Sequence, residues 1–197
     1  ENGIQPMTRA YVGREYTIVY NGELYNTAEL TKSIEQKGVK LQTHCDTEVV
    51  LYIYILYGEK CASMLNGIFA FSIYDKENDS VYFARDRFGI KPFFYAFCGE
   101  SLIFSSEIKA LLKYPGIKPR VSKERLWELM FLSPVMLHGG VFDGIEELEP
   151  AHHAVWKEGS LNISSYWHLK AEECADSREE IISHTQELLT DAIERQL

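Results

Sequence analysis

Two short polar stretches contain residue types that could bind and activate a polar substrate. Asn21, Gly22 and Glu23 follow a run of β-branched and aromatic residues, and Asp46 stands just before an apolar helical pattern. A side-chain amide and a glycine N–H are suitable donors to an oxyanion that develops during acyl transfer. Glycine also lets a ligand approach the backbone, and the two carboxylates could hold an ammonium group. These residues predict a substrate site at strand-to-helix junctions.

Asn-Gly is also a common signature of a tight hairpin turn. A hairpin needs a second strand directly after the turn, whereas Leu24 and Tyr25 lead into Asn26-Thr27-Ala28-Glu29, which resembles a capping box. Asp46 or Thr47 could likewise serve as an ordinary helix cap. The residues by themselves therefore leave the structural and the binding interpretations open.

Periodicity predicts the elements that must position these residues. Tyr16 to Tyr20 is typical of a buried strand, and helices are predicted to end at Gly38 and Gly58, with a short strand at Val39 to Thr43 between them. Downstream, the predicted hairpins are Ile68–Asp75 with Val81–Arg85, Pro92–Phe97 with Leu102–Ser105, and Ala154–Trp156 with Ile163–Trp167. The predicted later helices are Glu107 to Lys113, a helix from Ser122, and one from Arg178 to the end. Hairpins separated from helices indicate an α+β fold.

Composition narrows the class of protein. The chain has 197 residues, enough for one sizeable domain, and its net charge of −9 argues against nucleic acid or an anionic membrane as partner. No apolar stretch approaches the ~20 residues of a membrane span. The cysteines, which form no C-x-x-C pair and no disulfide framework, are Cys45, Cys61, Cys98 and Cys174. We therefore expect free thiols, a cytoplasmic location and no metal site.

Seven motifs in a fixed order carry a resemblance to a known family. They are "ENGIQPM", "YNGELYN", "CDTEVVL", "LNGIFAFSIYD", "ARDRFGIKPFFY", "FSSEIKALL" and "EELEPAHHAVW". Residues 1–170 together resemble the glutaminase domain of glutamine-hydrolysing asparagine synthetases, a class II glutamine amidotransferase domain of the N-terminal-nucleophile type. The resemblance implies a four-layer αββα sandwich, two antiparallel sheets between helices. It also makes residues 171–197 a linker and the first helix of a synthetase domain.

The resemblance implies a chemistry as well. In such domains an N-terminal cysteine attacks the side-chain amide of glutamine, with its own α-amine as base. Ammonia then crosses a tunnel to an activated aspartate in the synthetase domain, which uses ATP and magnesium, whereas the glutaminase domain needs no cofactor. By matching motifs, Asn21 and Gly22 would form the oxyanion hole, while Glu23 and Asp46 would bind the α-amino end of glutamine. The implied partners are glutamine and the linked synthetase domain, and a homodimer is compatible with the resemblance.

The chain departs from the family pattern at its start. It begins at Glu1, so the nucleophile and the arginine that holds the glutamine carboxylate have no counterpart in it. None of the four cysteines replaces the nucleophile by motif, and we expect the chain alone to be inactive.

Two rival interpretations stay open. One is another class II amidotransferase, such as glucosamine-6-phosphate synthase, the phosphoribosyl-pyrophosphate amidotransferase or a β-lactam synthetase homologue. The other is an inactive homologue that acts as a binding domain. The glutamate after Asn-Gly and the run R-D-R-F-G-I-K-P favour the asparagine synthetase type.

Overall fold

The computed structural model describes residues 3–131 and 140–196. In these residues the strands are β1 (Met7–Tyr11), β2 (Arg14–Leu24), β3 (Gly67–Asp75), β4 (Ser80–Arg85), β5 (Phe94–Cys98), β6 (Ser101–Ser105), β7 (Ile145–Glu147), β8 (His152–Lys157) and β9 (Ser160–Ser165). The α-helices are α1 (Thr27–Gln36), α2 (Asp46–Tyr57), α3 (Cys61–Met64), α4 (Ile108–Leu111), α5 (Lys123–Phe131) and α6 (Arg178–Glu194). Two predicted features lie partly outside the described residues: the first motif, at Glu1 and Asn2, and the helical end, at Leu197.

The chain divides into two compact units, Glu1–Trp167 and His168–Leu197. The second unit contains α6, which begins with a capping box: the Ser177 hydroxyl accepts from the Glu180 N–H, and the Glu180 carboxylate accepts from the Ser177 N–H. No helix within the described ranges is long and apolar enough to cross a membrane. The assignment of residues 171–197 to a synthetase domain stays a prediction.

The strands of the first unit form two antiparallel sheets in the described residues, one in the order β1-β2-β3-β4-β8-β9 and one in the order β6-β5-β7. Three apolar clusters fill the spaces between layers. The first joins α1 and α2 to the larger sheet, the second lies between the sheets around Phe83 and Phe93, and the third joins α4 to the smaller sheet around Leu111 and Ile145. Three cores between four layers confirm the predicted α+β sandwich.

Strand β2, in the larger sheet, lies between the first cluster and the space between the sheets. Its alternate residues Tyr16, Ile18 and Tyr20 are buried in the cluster that contains α1 and α2. Because successive side chains of a strand point to opposite faces, Val19 and Asn21 face the smaller sheet. Residues at even positions of β2 therefore belong to the helix side, and residues at odd positions to the space between the sheets.

The predicted end of the strand at Tyr20, just before Asn21, Gly22 and Glu23, is wrong. Strand β2 continues to Leu24, and Gly22 pairs with Phe69 of β3. The strand can continue because Gly22 has no side chain. A Cβ atom at this position would lie 2.4 Å from the carbonyl oxygen of Ile68. The two glycines of this ladder, Gly22 and Gly67, let the strands approach closely, and pairing continues past the polar stretch.

The predicted strand at Val39 to Thr43 is also wrong. This segment contains no strand, because a carboxylate takes the place of a pairing partner. The backbone N–H groups of Gln42 and Thr43 both donate to the side chain of Glu48 on α2. The segment is a turn held against the start of that helix.

Both predicted side-chain caps are replaced by long-range contacts. Asn26 is the N-cap of α1, but its side chain makes no cap hydrogen bond. Its amide instead donates to the Met64 carbonyl oxygen and accepts from the Asn66 N–H. The N-cap of α2 is Cys45, and the Asp46 carboxylate contacts β2.

Candidate functional site

One edge of β2 is partly open. The pairing of β1 with β2 reaches only Ile18, and no strand of the described residues continues along this edge. Two side chains occupy it instead. The carboxamide of Gln5 donates to the Tyr20 carbonyl oxygen at 2.8 Å and accepts from the Tyr20 N–H at 2.6 Å. The Asp46 carboxylate accepts from the Leu24 N–H at 2.8 Å.

Gly22 lies between these two blocked positions. Backbone groups of alternate residues in a strand point to the same edge. Tyr20 and Leu24 point to the edge occupied by Gln5 and Asp46, so the N–H and C=O of Gly22 point there as well. The residues that alternate with them point to the other edge of the strand. The Tyr25 N–H, for example, donates to the Asn66 carbonyl oxygen on the β3 side. We call the N–H and C=O of Gly22 the open rung.

Asn21 lines a cavity next to the open rung. The cavity has a volume of about 250 Å³ and lies between the two sheets. Its lining is partly aromatic and partly polar, and includes Ser72, Phe104, Ser105 and Ser106. Asn21 and Gly22 are consecutive in β2, so a side-chain amide and a backbone N–H, both neutral donors, belong to adjacent residues.

Asp46 ties three elements together at the end of β2. Its Oδ2 atom accepts from the Leu24 N–H, and its Oδ1 atom accepts from the Thr27 hydroxyl at 2.9 Å. It is the first residue of α2, where the partial positive charge of the helix N-terminus stabilises a carboxylate. Glu23 directly precedes Leu24, so two carboxylates stand at the same end of this strand.

The pKa values of two tyrosines in this region are raised, partly by nearby carboxylates. Burial raises the pKa of Tyr20, and the negative charges of Asp46 and Glu23 raise it further. The pKa of Tyr25 is likewise raised by burial and then by Glu23 and Asp86. Among the described residues the Tyr20 hydroxyl is buried without a hydrogen-bond partner. Glu23 and Asp46 therefore contribute negative potential to this region.

The four predicted site residues thus lie along one end of β2. Asn21, Gly22 and Glu23 are consecutive strand residues, and Asp46 contacts the next one, Leu24. Their roles in catalysis and binding stay predictions. Sequence reasoning missed the contribution of Gln5, because a glutamine ahead of a proline has no local signature of a backbone contact.

The cysteines do not form a comparable site. All four are free thiols. The sulfur of Cys45 lies 3.0 Å from the Thr43 hydroxyl. Cys61 is fully buried, and burial raises the pKa of its thiol to about 12, so it stays protonated. In residues 3–131 and 140–196 no group of three or more His, Cys, Asp or Glu side chains is arranged to hold a metal ion.

Comparisons with known proteins agree with this architecture. The family model for a glutamine amidotransferase domain matches residues 1–167. Among similar proteins, asparagine synthetase [glutamine-hydrolyzing] 3 of Bacillus subtilis is 45% identical, and the match covers 100% of this chain and 32% of that protein. Asparagine synthetase [glutamine-hydrolyzing] 1 of the same organism is 31% identical, with 98% of this chain and 30% of that protein covered. The chain thus spans about a third of the length of these relatives.

A solved structure supports the fold independently. Glutamine phosphoribosylpyrophosphate amidotransferase from B. subtilis superposes with a TM-score of 0.59 and 22% identity, covering 83% of this chain and 32% of that one. At this identity the likeness concerns the fold alone. The family model, however, matches most of the chain, from its start to the end of the sandwich. The chain belongs to the glutamine amidotransferase domain family.

Proposed function

We propose that the chain is the glutaminase part of a glutamine-hydrolysing asparagine synthetase. It would hydrolyse glutamine to glutamate and ammonia, and a linked synthetase domain would use the ammonia to amidate aspartate. The names and 45% identity of the B. subtilis relative support this proposal, as does its greater length. The free thiols favour a cytoplasmic location, and the homodimer stays a prediction.

The observation that carries the proposal is the open rung. Gln5 demonstrates which group such a position accepts, since its primary carboxamide bonds to both the N–H and the C=O of Tyr20. The same pair of backbone groups recurs two residues later at Gly22, beyond the last pair between β1 and β2 at Ile18. The carboxamide of a substrate glutamine can bind there in the same manner, with its carbonyl oxygen toward the Gly22 N–H and the Asn21 amide.

This pose defines what the residues contribute to hydrolysis. The resemblance assigns the nucleophile to an N-terminal cysteine outside residues 1–197. Its thiolate would attack the amide carbon, and Asn21 and Gly22 would stabilise the negative charge that develops on the oxygen. The nitrogen would take up a proton and leave as ammonia, and water would then hydrolyse the thioester to glutamate. The resemblance assigns ATP and magnesium to the synthetase domain, and none of these steps requires them.

A direct assay tests the proposed function. The full-length protein should release glutamate and ammonia in equal amounts from glutamine, and with aspartate and ATP it should form asparagine. Glutamine hydrolysis without asparagine formation would favour a different class II amidotransferase. Absence of any glutamine hydrolysis would overturn the proposal and favour a binding domain.

Asp46 supplies a prediction about substrate binding. In the full-length protein, Asp46→Asn should raise the KM for glutamine about tenfold or more, because a hydrogen bond to a charged group contributes about 1.5–3 kcal/mol. The kcat should change much less, since the α-amino end does not react. Steady-state kinetics with glutamine measure both constants.

Ammonia-dependent asparagine synthesis is the control for Asp46→Asn. It should survive the substitution, because the second active site is untouched. Asp79→Asn, at an exposed turn where the carboxylate accepts only from Tyr74 among the contacts described, should leave the KM unchanged. Equal loss of the glutamine- and ammonia-dependent activities would instead indicate misfolding.

Cys45 gives a second prediction, about the nucleophile. It neighbours Asp46, yet its sulfur already contacts the Thr43 hydroxyl and no motif assigns it a role. Cys45→Ala in the full-length protein should retain glutaminase turnover within about twofold, and purified residues 1–197 should release no ammonia above background. Turnover by residues 1–197 that is abolished by Cys45→Ala would identify Cys45 as the nucleophile and contradict this assignment.

A further inference from the structure

The first turn of α2 carries a second carboxylate, Glu48, whose side chain is fully buried. It is surrounded by donors. The Arg9 Nε atom lies 2.7 Å from Oε1, while the N–H and the hydroxyl of Thr43 each lie 2.6 Å from Oε2. The Gln42 N–H donates to the same carboxylate at 3.1 Å. All of these donors lie outside α2.

These contacts anchor the helical turn that also carries Asp46. Glu48 connects that turn to Arg9 on β1, whereas Asp46, two residues earlier, connects it to Leu24 at the end of β2. The turn at Gln42 and Thr43 closes over the start of the helix through the same carboxylate. Arg9 on β1 therefore holds Glu48, and Glu48 in turn holds the helical turn that places Asp46 beside the open rung.

We propose that Glu48 and Arg9 are positioning residues for the glutamine site, holding Asp46 against Leu24 next to the open rung. This inference rests on the proposed function for its consequence in catalysis. Neither side chain belongs to the end of β2 that carries the open rung, since Glu48 is on α2 and Arg9 is on β1. Both act through the first turn of α2.

A stabilising role alone does not account for this arrangement. Desolvating a buried ion pair costs free energy, and apolar side chains of similar volume often stabilise a protein as well or better. Helix α2 is otherwise nearly uniformly apolar at its buried positions, which include Val49, Leu51 and Ile53. Hydrogen bonds from four donors are directional, so they hold the first turn of α2 in a single orientation, which apolar packing does not do.

Asp75, at the opposite end of the pairing between β2 and β3, offers a matched control. Asp75 is also a buried carboxylate paired with one arginine, at 2.6 Å from the Arg14 Nη2 atom. It pairs with Tyr16 at the start of β2, remote from Gly22 along the strand. Asp75→Asn therefore perturbs a comparable ion pair in the same sheet without touching the proposed site.

The first measurement compares variants of the full-length protein. Glu48→Gln should raise the KM for glutamine about tenfold and leave kcat within about twofold. Asp75→Asn should lower the Tm while leaving the KM unchanged. Because Glu48 acts through Asp46, the double variant with Asp46→Asn should have nearly the KM of Asp46→Asn alone. Additive effects, or an equal KM rise in Asp75→Asn, would overturn the proposal.

The second measurement does not depend on activity. The Leu24 N–H donates to Asp46, so its hydrogen exchange reports whether Asp46 stays in place. Exchange at Leu24 should be faster in Glu48→Gln than in Asp75→Asn, relative to the global stability of each variant. Equal exchange would overturn the inference. A parent protein that hydrolyses no glutamine would overturn the proposed function, and the exchange result would still decide the inference.

A milder variant covers the case in which Glu48→Gln does not fold. Thr43→Val keeps the side-chain shape and removes one donor to Glu48 without changing its charge. It should raise the KM and accelerate Leu24 exchange in the same direction, by less than Glu48→Gln. A folded Thr43→Val protein with unchanged KM and unchanged Leu24 exchange would count against the proposal.

Discussion

Replacing Asn21 by alanine in the full-length protein should lower glutamine-dependent turnover about 10²- to 10³-fold. The side-chain amide lines the cavity beside the open rung, where the charge on the amide oxygen would develop. An interaction of this kind strengthens in the transition state, so kcat should fall while the KM for glutamine changes little. Steady-state kinetics with glutamine as nitrogen donor measure both.

Two comparisons make the Asn21→Ala result specific. Ammonia-dependent asparagine synthesis should be unaffected, because it bypasses the glutaminase site. Asn162→Ala, at an exposed position of β9 in the same sheet, should keep full activity. A loss confined to KM, with kcat intact, would show that Asn21 binds the ground state and would remove it from the proposed oxyanion hole.

The second large effect is expected for Gly22→Ala. The added Cβ atom would meet the Ile68 carbonyl oxygen at 2.4 Å and the Phe69 Cα atom at 2.8 Å, both of them backbone atoms that cannot rotate away. Strands β2 and β3 must separate there, which moves the open rung. We expect glutamine turnover to fall about 10²-fold or more and stability to fall by about 1–3 kcal/mol, as for other overpacked positions.

Thermal unfolding and glutaminase assays of Gly22→Ala measure these two losses separately. Gly3→Ala is a control for the glycine-to-alanine change itself, because nothing lies within 4 Å of its Cβ position. It should leave both the Tm and the turnover unchanged. A Gly22→Ala protein with the parent's Tm and turnover would contradict the close approach of the two strands.

Local patterns in the sequence predicted much of the fold. The hairpin of β3 and β4 follows from two strand patterns around a polar turn, and α2 follows from a long apolar run that begins at an acidic residue. Strand β1 was missed, since only Met7 of its five residues is buried and the residue types from Met7 to Tyr11 give no clear period. Strand β7 was missed because three residues are too few for a pattern.

Long-range contacts explain why the caps were predicted wrongly. Aspartate at a helix start is a common local cap, yet Asp46 bonds to Leu24, 22 residues away in the chain. The Asn26 side chain bonds to Asn66, at a separation of 40 residues. In both cases the side chain bonds to a residue of another segment of the chain, although the local rule predicts that it caps its own helix.

The candidate site was predictable in its residue types and not in its geometry. An amide, a glycine and two carboxylates were candidates by residue type, and the resemblance carried by the seven motifs assigned roles to them. The open rung, by contrast, exists because β1 stops pairing at Ile18 and because Gln5 and Asp46 cover the positions on either side of Gly22. Pairing register and strand ends depend on the whole sheet, so local patterns do not contain them.

The same two side chains have a consequence for association between molecules. An unpaired strand edge is a template on which another chain can add a strand, which leads to aggregation or domain swapping. Along β2 beyond Ile18, Gln5 and Asp46 each occupy backbone groups that an incoming strand would need. A lone rung between two blocked ones cannot start a ladder, because strand pairing needs several consecutive free positions. In the described residues this edge therefore resists recruitment of a second polypeptide, while the proposed binding of glutamine needs only the single position at Gly22.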